Sequence, residues 1–327
     1  MTATDSAKAA DEFVGKADPA KALGATRRTM GKFKTPVGPA THLAPERERL
    51  ARLEWRNFEA TQLGSTLGAE LSGIDLTSEL SDDAISEIAQ ALADYKVIFF
   101  RNQPLSADQH VAFASKFGEL EIHPFIPPNA DQPKLVRFEK SAEVAGYENS
   151  WHHDVTWREF PSMGAILHAI EVPAFGGDTL FSDMSAAYNG LDDETKQRLD
   201  GMLAIHDFMR SFGNQFPPER QQEMRDRFPL IEHPVVITHQ VTGQKLLYVN
   251  RNFTTGIVGL DENEADVLLE HLCRQAETVE HQIRFHWEND SVAFWDNRAV
   301  QHYASSDYWP QRRVMERASI SGPRPVA

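Results

Sequence analysis

Two adjacent histidines and an aspartate sit between two tryptophans in SWHHDVTW, residues 150–157. On a strand, side chains two apart share a face. His152 and Asp154 would then look one way, and Trp151, His153 and Val155 the other. A histidine and a carboxylate on one face are two members of a facial metal set. A second histidine completes that set and leaves three positions open on iron(II), which suits oxygen activation. His-x-Asp also arises often by chance, and the bland alternative has His152 or His153 capping a backbone group at a strand end.

The chain contains 13 histidines, so a third ligand needs more than its identity. His302 has the best surroundings. It follows a predicted strand in WDNRAVQHYASSDYWPQRRVMERA (295–318), with Arg313 and Arg317 downstream, four apart. His206, His233 and His239 lie in apolar or proline-adjacent contexts that suit structural histidines. The arginines have a chemical reason to be there. An iron(II) oxygenase needs electrons beyond those of its substrate, and an α-keto acid is one source. A dicarboxylic keto acid bound to iron through its keto end leaves a distal carboxylate, and the planar fork of arginine matches it with two hydrogen bonds. The alternative for RRVMER is a solvated basic strand edge.

Elements able to hold such a site are readable around it. SDDAISEIAQALADY (81–95) has helical periodicity with Asp82 and Asp83 at its positive end. YKVIFF (95–100) is a buried strand, and SADQHVAFASKFG (106–118) a helix whose Ser106 and Gln109 have capping-box spacing, with Gly118 at its exit. QIRFHW (282–287) and SVAFWD (291–296) are predicted strands, and ENEADVLLEHLCRQ (262–275) a helix. FEATQLGSTLGAELSGIDL (58–76) is short strand-like pieces broken by glycines. Many short strands with a few inserted helices predict a mainly β fold, a jelly-roll core decorated by helices. Regular β–α alternation and a glycine-rich nucleotide loop are absent, which excludes a doubly wound sheet. Residues 1–53, rich in Ala, Lys, Arg, Pro and Gly, show no sustained period and read as a flexible or draped extension, leaving 54–327 as the functional domain.

Bulk properties narrow the class. The 327 residues suffice for a large core, and a net charge of −15 argues against nucleic-acid and anionic-membrane surfaces. The single cysteine, Cys273, excludes a disulfide framework and cysteine-based metal cages, and its helical context predicts a buried inert thiol. No apolar run approaches the ~20 residues that span a bilayer, and the N-terminus lacks the order of a secretory signal. The cytoplasm is the expected compartment.

FGELEIHP (117–124), WHHDVTW (151–157), GGDTLFSD (176–183), HPVVITHQVTG (233–243), YVNRNFTT (248–255) and the long segment 295–318 together resemble the taurine dioxygenase (TauD/TfdA) family of iron(II)/2-oxoglutarate-dependent dioxygenases. Several long motifs in the right order, from Leu63 to Pro325, make the match specific. The resemblance implies a double-stranded β-helix, and iron(II) on His152, Asp154 and His302. It implies 2-oxoglutarate with its distal carboxylate on Arg313 and Thr179, and O2 as co-reactant. Arg317 would lie beside the cosubstrate's other carboxylate and the substrate's anionic group, which His123 would also contact. Phe212 and Phe253 would wall the substrate pocket, although a plain core role suits them equally. Homo-oligomers, dimers or tetramers, are a further implication.

The chain departs from the taurine-specific pattern at three places. His153 replaces a threonine between the ligands, and strand geometry predicts that it points away from the metal. Ile126 replaces a tyrosine and Glu148 an asparagine at positions implied to hold the amine of taurine, with Asn149 one step away. Taurine is therefore a poor candidate. His123 and Arg317 keep a site for a sulfonate, sulfate or carboxylate, and Ile126 favours an alkyl tail. Glu148 would pair with an ammonium if it faces the pocket. The expected activity is hydroxylation of a small anionic compound, first an alkyl or aryl sulfonate or sulfate ester, giving succinate, CO2 and an aldehyde with sulfite or sulfate. Carboxylate substrates are the alternative, and a non-catalytic jelly-roll binding protein the remoter one. A zinc hydrolase would leave Thr179 and Arg313 without a purpose.

Overall fold

The computed structural model describes residues 28–30, 35–123, 129, 131–144, 146 and 148–327. Its frame is a seven-stranded sheet in the order Glu59–Gln62, Ala69–Ser72, Val97–Phe100, Val292–Asp296, Gly164–Glu171, Arg313–Ile320 and Val136–Lys140. A three-stranded sheet, Gln282–Phe285, Thr179–Asp183 and Val300–Ala304, faces it. This is the expected mainly β, jelly-roll architecture with added helices.

The apolar run at 95–100 shows why it fails to alternate. Val97 and Phe99 pack between the sheets with Phe181, Phe285 and Trp295, while Ile98 and Phe100 pack outward with Ile88, Leu92 and Phe113. A strand buried on both faces has no solvent side to mark with polar residues. Each such aromatic side chain contributes about 1.5–3 kcal/mol by leaving water. The outer face is covered by two helices, Asp82–Tyr95 and Ala107–Ala114, the second starting with the expected reciprocal capping box between Ser106 and Gln109. The helix Glu262–Cys273 lies on a separate core cluster, where burial pushes the Cys273 thiol up to about 12, in keeping with an inert role.

Two expectations change. Part of the stretch expected to be an extension is built into the fold: Ala44–Leu50 is a helix, with Leu50 buried in the core beneath the major sheet. Its Glu46 is 3.1 Å from the Nζ of Lys96, a buried cation that also reaches Thr66 O at 2.8 Å and Asp183 at 3.3 Å. A seven-residue helix with one buried leucine shows no period in sequence, because long-range ion pairs and not an apolar stripe dock it. The second change concerns WHHDVTW. Only His152 makes a β-bridge, and residues 154–157 form a turn. Among the described residues, no helix is long and apolar enough to cross a membrane.

Candidate metal and cosubstrate site

One isolated bridge brings the distant histidines together. His152 N–H donates to His302 O at 3.1 Å, and His302 N–H returns the bond at 2.9 Å, placing the ring centroids 4.3 Å apart. His302 lies within Val300–Ala304, inside the minor sheet and not after a strand as expected. Asp154 reaches the pair from the turn, its carboxylate 3.8 Å from His152 Nε2 and 4.0 Å from His302 Nε2. One ligand atom from each of the three lies within 4.8 Å of the others. His152 Nδ1–H donates to Ser150 O at 2.8 Å, which leaves the lone pair on Nε2 directed at the site. Burial, then His152, pushes His302 down to about 3, so its ring is neutral and ready to bind a metal. Burial would raise the Asp154 carboxyl, but Arg317, His302 and His152 more than offset it and hold it well below the usual carboxylate range. Two imidazoles and one carboxylate with an open side suit a divalent transition metal.

The turn that presents Asp154 is unusual. Val155 has φ +50°, a left-handed conformation that a β-branched residue avoids at about 1–2 kcal/mol. Asn297, fully buried, holds the turn: its Oδ1 accepts from Asp154 N–H at 2.7 Å, and its Nδ2 donates to Asp154 O and Ser162 O at 3.0 Å each.

The triad opens into a cavity of about 440 Å³ that is also lined by Thr179, Arg313, Arg317, His123, Glu148, Phe212 and Phe253. Every site residue expected from sequence thus lines one cavity, except Ile126, which lies outside the described residues. Arg313, Met315 and Arg317 alternate along Arg313–Ile320 toward the cavity, while the strand is enclosed between neighbours on both sides. The solvated-edge alternative for RRVMER holds for the exposed Arg312 but not for Arg313 and Arg317, which are buried.

Arg313 is the electrostatic oddity. It is 8% exposed, and its Nε and Nη2 have no hydrogen-bond partner among the described residues. The rings of Tyr308 and Trp287 flank it at 5.7 and 6.0 Å, and burial lowers its pKa against the pull of Tyr308 and Glu148. Gly177, at φ +68°, packs on it so closely that a Cβ there would meet Arg313 Cδ and Nε at 3.2 Å. Thr179 Oγ1 accepts from Trp287 Nε1 at 2.9 Å, which leaves its own O–H to donate toward the same space. An uncompensated buried guanidinium is expensive unless an anion completes it.

At the other end, Arg317 Nη1 donates to Asp154 Oδ2 at 3.0 Å, with its guanidinium over the Phe138 ring. Burial, then Arg317 and Arg158, pushes His123 down to about 4, so it stands beside Arg317 as a neutral ring able to donate to an anion. Phe212 and Phe253, centroids 6.0 Å apart, join Val155 on the apolar wall; both the pocket reading and the core reading of these residues apply. Glu148 faces the cavity but already holds Lys140 Nζ at 3.0 Å, so its charge has a cation without any substrate ammonium.

His153 is completely buried against Tyr248, centroids 4.8 Å apart, and does not line the cavity. It turns away as expected, though by a bridge followed by a turn and not by strand alternation. His206 and His233 take structural roles against Thr156 Oγ1 and Thr156 O, each at 3.0 Å, and His239 against Asp296 at 2.9 Å. Sequence reasoning missed Ser150, Asn297, Trp287 and Tyr308. Asn297 and Tyr308 stand inside the quoted segment 295–318, but their tasks depend on partners from other parts of the chain.

The family model "Taurine catabolism dioxygenase TauD, TfdA family" matches residues 59–319. An alkylsulfatase of Acinetobacter baylyi is 34% identical over 275 residues, covering 82% of this chain and 86% of that protein. An alpha-ketoglutarate-dependent sulfate ester dioxygenase of Pseudomonas putida is 33% identical over 268 residues, covering 80% and 88%. The crystal structure of a taurine dioxygenase from Burkholderia xenovorans is similar with a TM-score of 0.73 and 34% identity, covering 83% of this chain and 92% of that one. The matched stretch contains the triad, both cavity arginines and Thr179, and the chain belongs to the TauD/TfdA family of dioxygenases.

Proposed function

We propose that this protein is an iron(II)- and 2-oxoglutarate-dependent dioxygenase that hydroxylates an organic sulfate ester or sulfonate bearing an apolar chain. The observation that carries the reading is the incomplete Arg313 guanidinium at one end of a cavity whose other landmarks are the His152–Asp154–His302 triad and the His123–Arg317 pair. Two anion sites flank one metal site, as a dicarboxylate cosubstrate and an anionic substrate require.

His152, Asp154 and His302 would hold the iron, which with 2-oxoglutarate and O2 supplies the oxidising chemistry for C–H hydroxylation. Arg313 would take the distal carboxylate of 2-oxoglutarate through its free N–H groups, with the Thr179 hydroxyl as a further donor. Arg317 keeps the Asp154 carboxylate ionised and offers its remaining donors to an anion. His123, neutral at physiological pH, adds a donor without adding charge. Val155, Phe212 and Phe253 exclude water and seat an alkyl or aryl chain, which orients the carbon next to the anionic group toward the triad. Hydroxylation of that carbon in R–CH2–OSO3⁻ yields an unstable product that splits to R–CHO and sulfate. The 2-oxoglutarate is oxidised to succinate and CO2, with one atom of O2 entering succinate and the other the hydroxylated carbon of the substrate. The relatives described as an alkylsulfatase and a sulfate ester dioxygenase support this substrate class over taurine. The Lys140–Glu148 pair supports it too, since the Glu148 carboxylate is already neutralised by a lysine.

An aerobic panel of alkyl sulfates, alkanesulfonates, taurine and phenoxyacetates with iron(II) and 2-oxoglutarate tests the proposal. Succinate formed one-to-one with sulfate or sulfite from the alkyl compounds is expected. Coupling to the carboxylates alone would overturn the substrate class, and no succinate with any compound would overturn the reaction.

A further inference from the structure

The metal triad depends on a turn that the backbone does not favour. We infer that Asn297 is a positioning residue that clamps the strained 154–157 turn and thereby holds Asp154 in its metal-binding orientation. This inference rests on reading the triad as a metal site.

Asn297 uses its whole amide on this task. The acceptor oxygen takes Asp154 N–H at 2.7 Å, and the amide nitrogen gives one hydrogen to Asp154 O and the other to Ser162 O, both at 3.0 Å. A flipped amide would set an NH2 against an N–H and an oxygen against two carbonyls, so the partners dictate its orientation. Its backbone is anchored as well, because Asn297 N–H donates to Met163 O at 2.9 Å in the turn after Val292–Asp296. The clamp therefore runs from a central strand of the major sheet to both peptide groups of one ligand residue.

The next residue shows what the clamp resists. Val155 is held at φ +50°, where its branched side chain collides with its own backbone. Relaxing it to negative φ rotates the peptide that joins it to Asp154, the peptide whose carbonyl Asn297 holds. Without the amide, the strain has a free path to Asp154. Val155 also lines the cavity, so the same conformation aims its isopropyl group at the substrate space.

The test is Mn(II) binding to the full-length protein without cosubstrate, followed by electron paramagnetic resonance, beside thermal melting. Asn297→Ala is expected to weaken Mn(II) binding by about 10–100-fold. Leu272→Ala, a comparably destabilising change in the separate core cluster under the helix Glu262–Cys273, is expected to leave it within twofold. Glycine adopts φ +50° without strain, so Val155→Gly in the Asn297→Ala background is expected to recover at least fivefold of the lost affinity. Asn297→Ser, which keeps one hydrogen bond and serves where the alanine variant does not fold, is expected to fall between. Parent-like Mn(II) affinity in the alanine or serine variant would overturn the inference. Loss of affinity with no recovery from Val155→Gly would overturn the strained-turn mechanism. A parent protein that binds no Mn(II) would instead overturn the metal reading beneath it.

Discussion

Lys96 and Arg313 are both buried cations, 1% and 8% exposed, and their surroundings are opposite. Lys96 is closed off by Glu46, Asp183 and the carbonyl of Thr66, all within 3.3 Å. Arg313 meets two aromatic faces and keeps Nε and Nη2 without protein partners among the described residues. A charge that serves the fold is neutralised within the fold. A charge left incomplete in a cavity is one whose partner arrives from outside.

Three experiments bear on that contrast. Lys96→Met should lower stability by about 3–5 kcal/mol in chemical denaturation, because it strands the buried Asp183 without its cation and leaves Glu46 with Arg49 alone. A loss below about 1 kcal/mol would break the comparison from the structural side. Arg313→Met should leave stability unchanged or slightly raised, yet weaken 2-oxoglutarate binding to the Mn(II)-loaded protein by about 2–4 kcal/mol in titration calorimetry. Equal losses of stability in the two variants would erase the distinction. The smallest effect concerns pH. Burial would raise the Glu46 carboxyl, but Arg49 and Lys96 pull it down from 4.5 to about 2. A depressed carboxylate stabilises fully above its unfolded value and loses that contribution as pH falls from about 4.5 toward 2. The parent should therefore lose on the order of 2–3 kcal/mol more than Glu46→Gln across that window. Parallel acid-denaturation curves would show that the docked helix does not carry the pairing described.

The same division separates what was legible in the sequence. The helix start at Ser81, the capping box at Ser106 and Gln109, and the doubly buried strand at 97–100 depend on neighbours a few residues apart, so local pattern suffices. The site residues were legible as types: a metal needs imidazole and carboxylate, and a dicarboxylate needs arginine. Their assembly was not. His152 meets His302 through one bridge between distant segments. The turn at Asp154 is decided by an amide 143 residues away, which overrides the strand suggested by alternation. The helix Ala44–Leu50 docks through ion pairs to Asp94 and Lys96 and carries no period of its own.

What the sequence by itself determined was the inventory: the residues of the candidate triad, the two arginines and a mainly β frame. Chemistry at a site is limited by side-chain type, and type is written in the chain. What only the tertiary structure decided was which polar groups are left open to the cavity. Glu148 is occupied by Lys140, His153 is packed against Tyr248, and Arg313 is left open. Whether a polar group is satisfied depends on atoms that folding brings from elsewhere in the chain, and no spacing along the sequence encodes it.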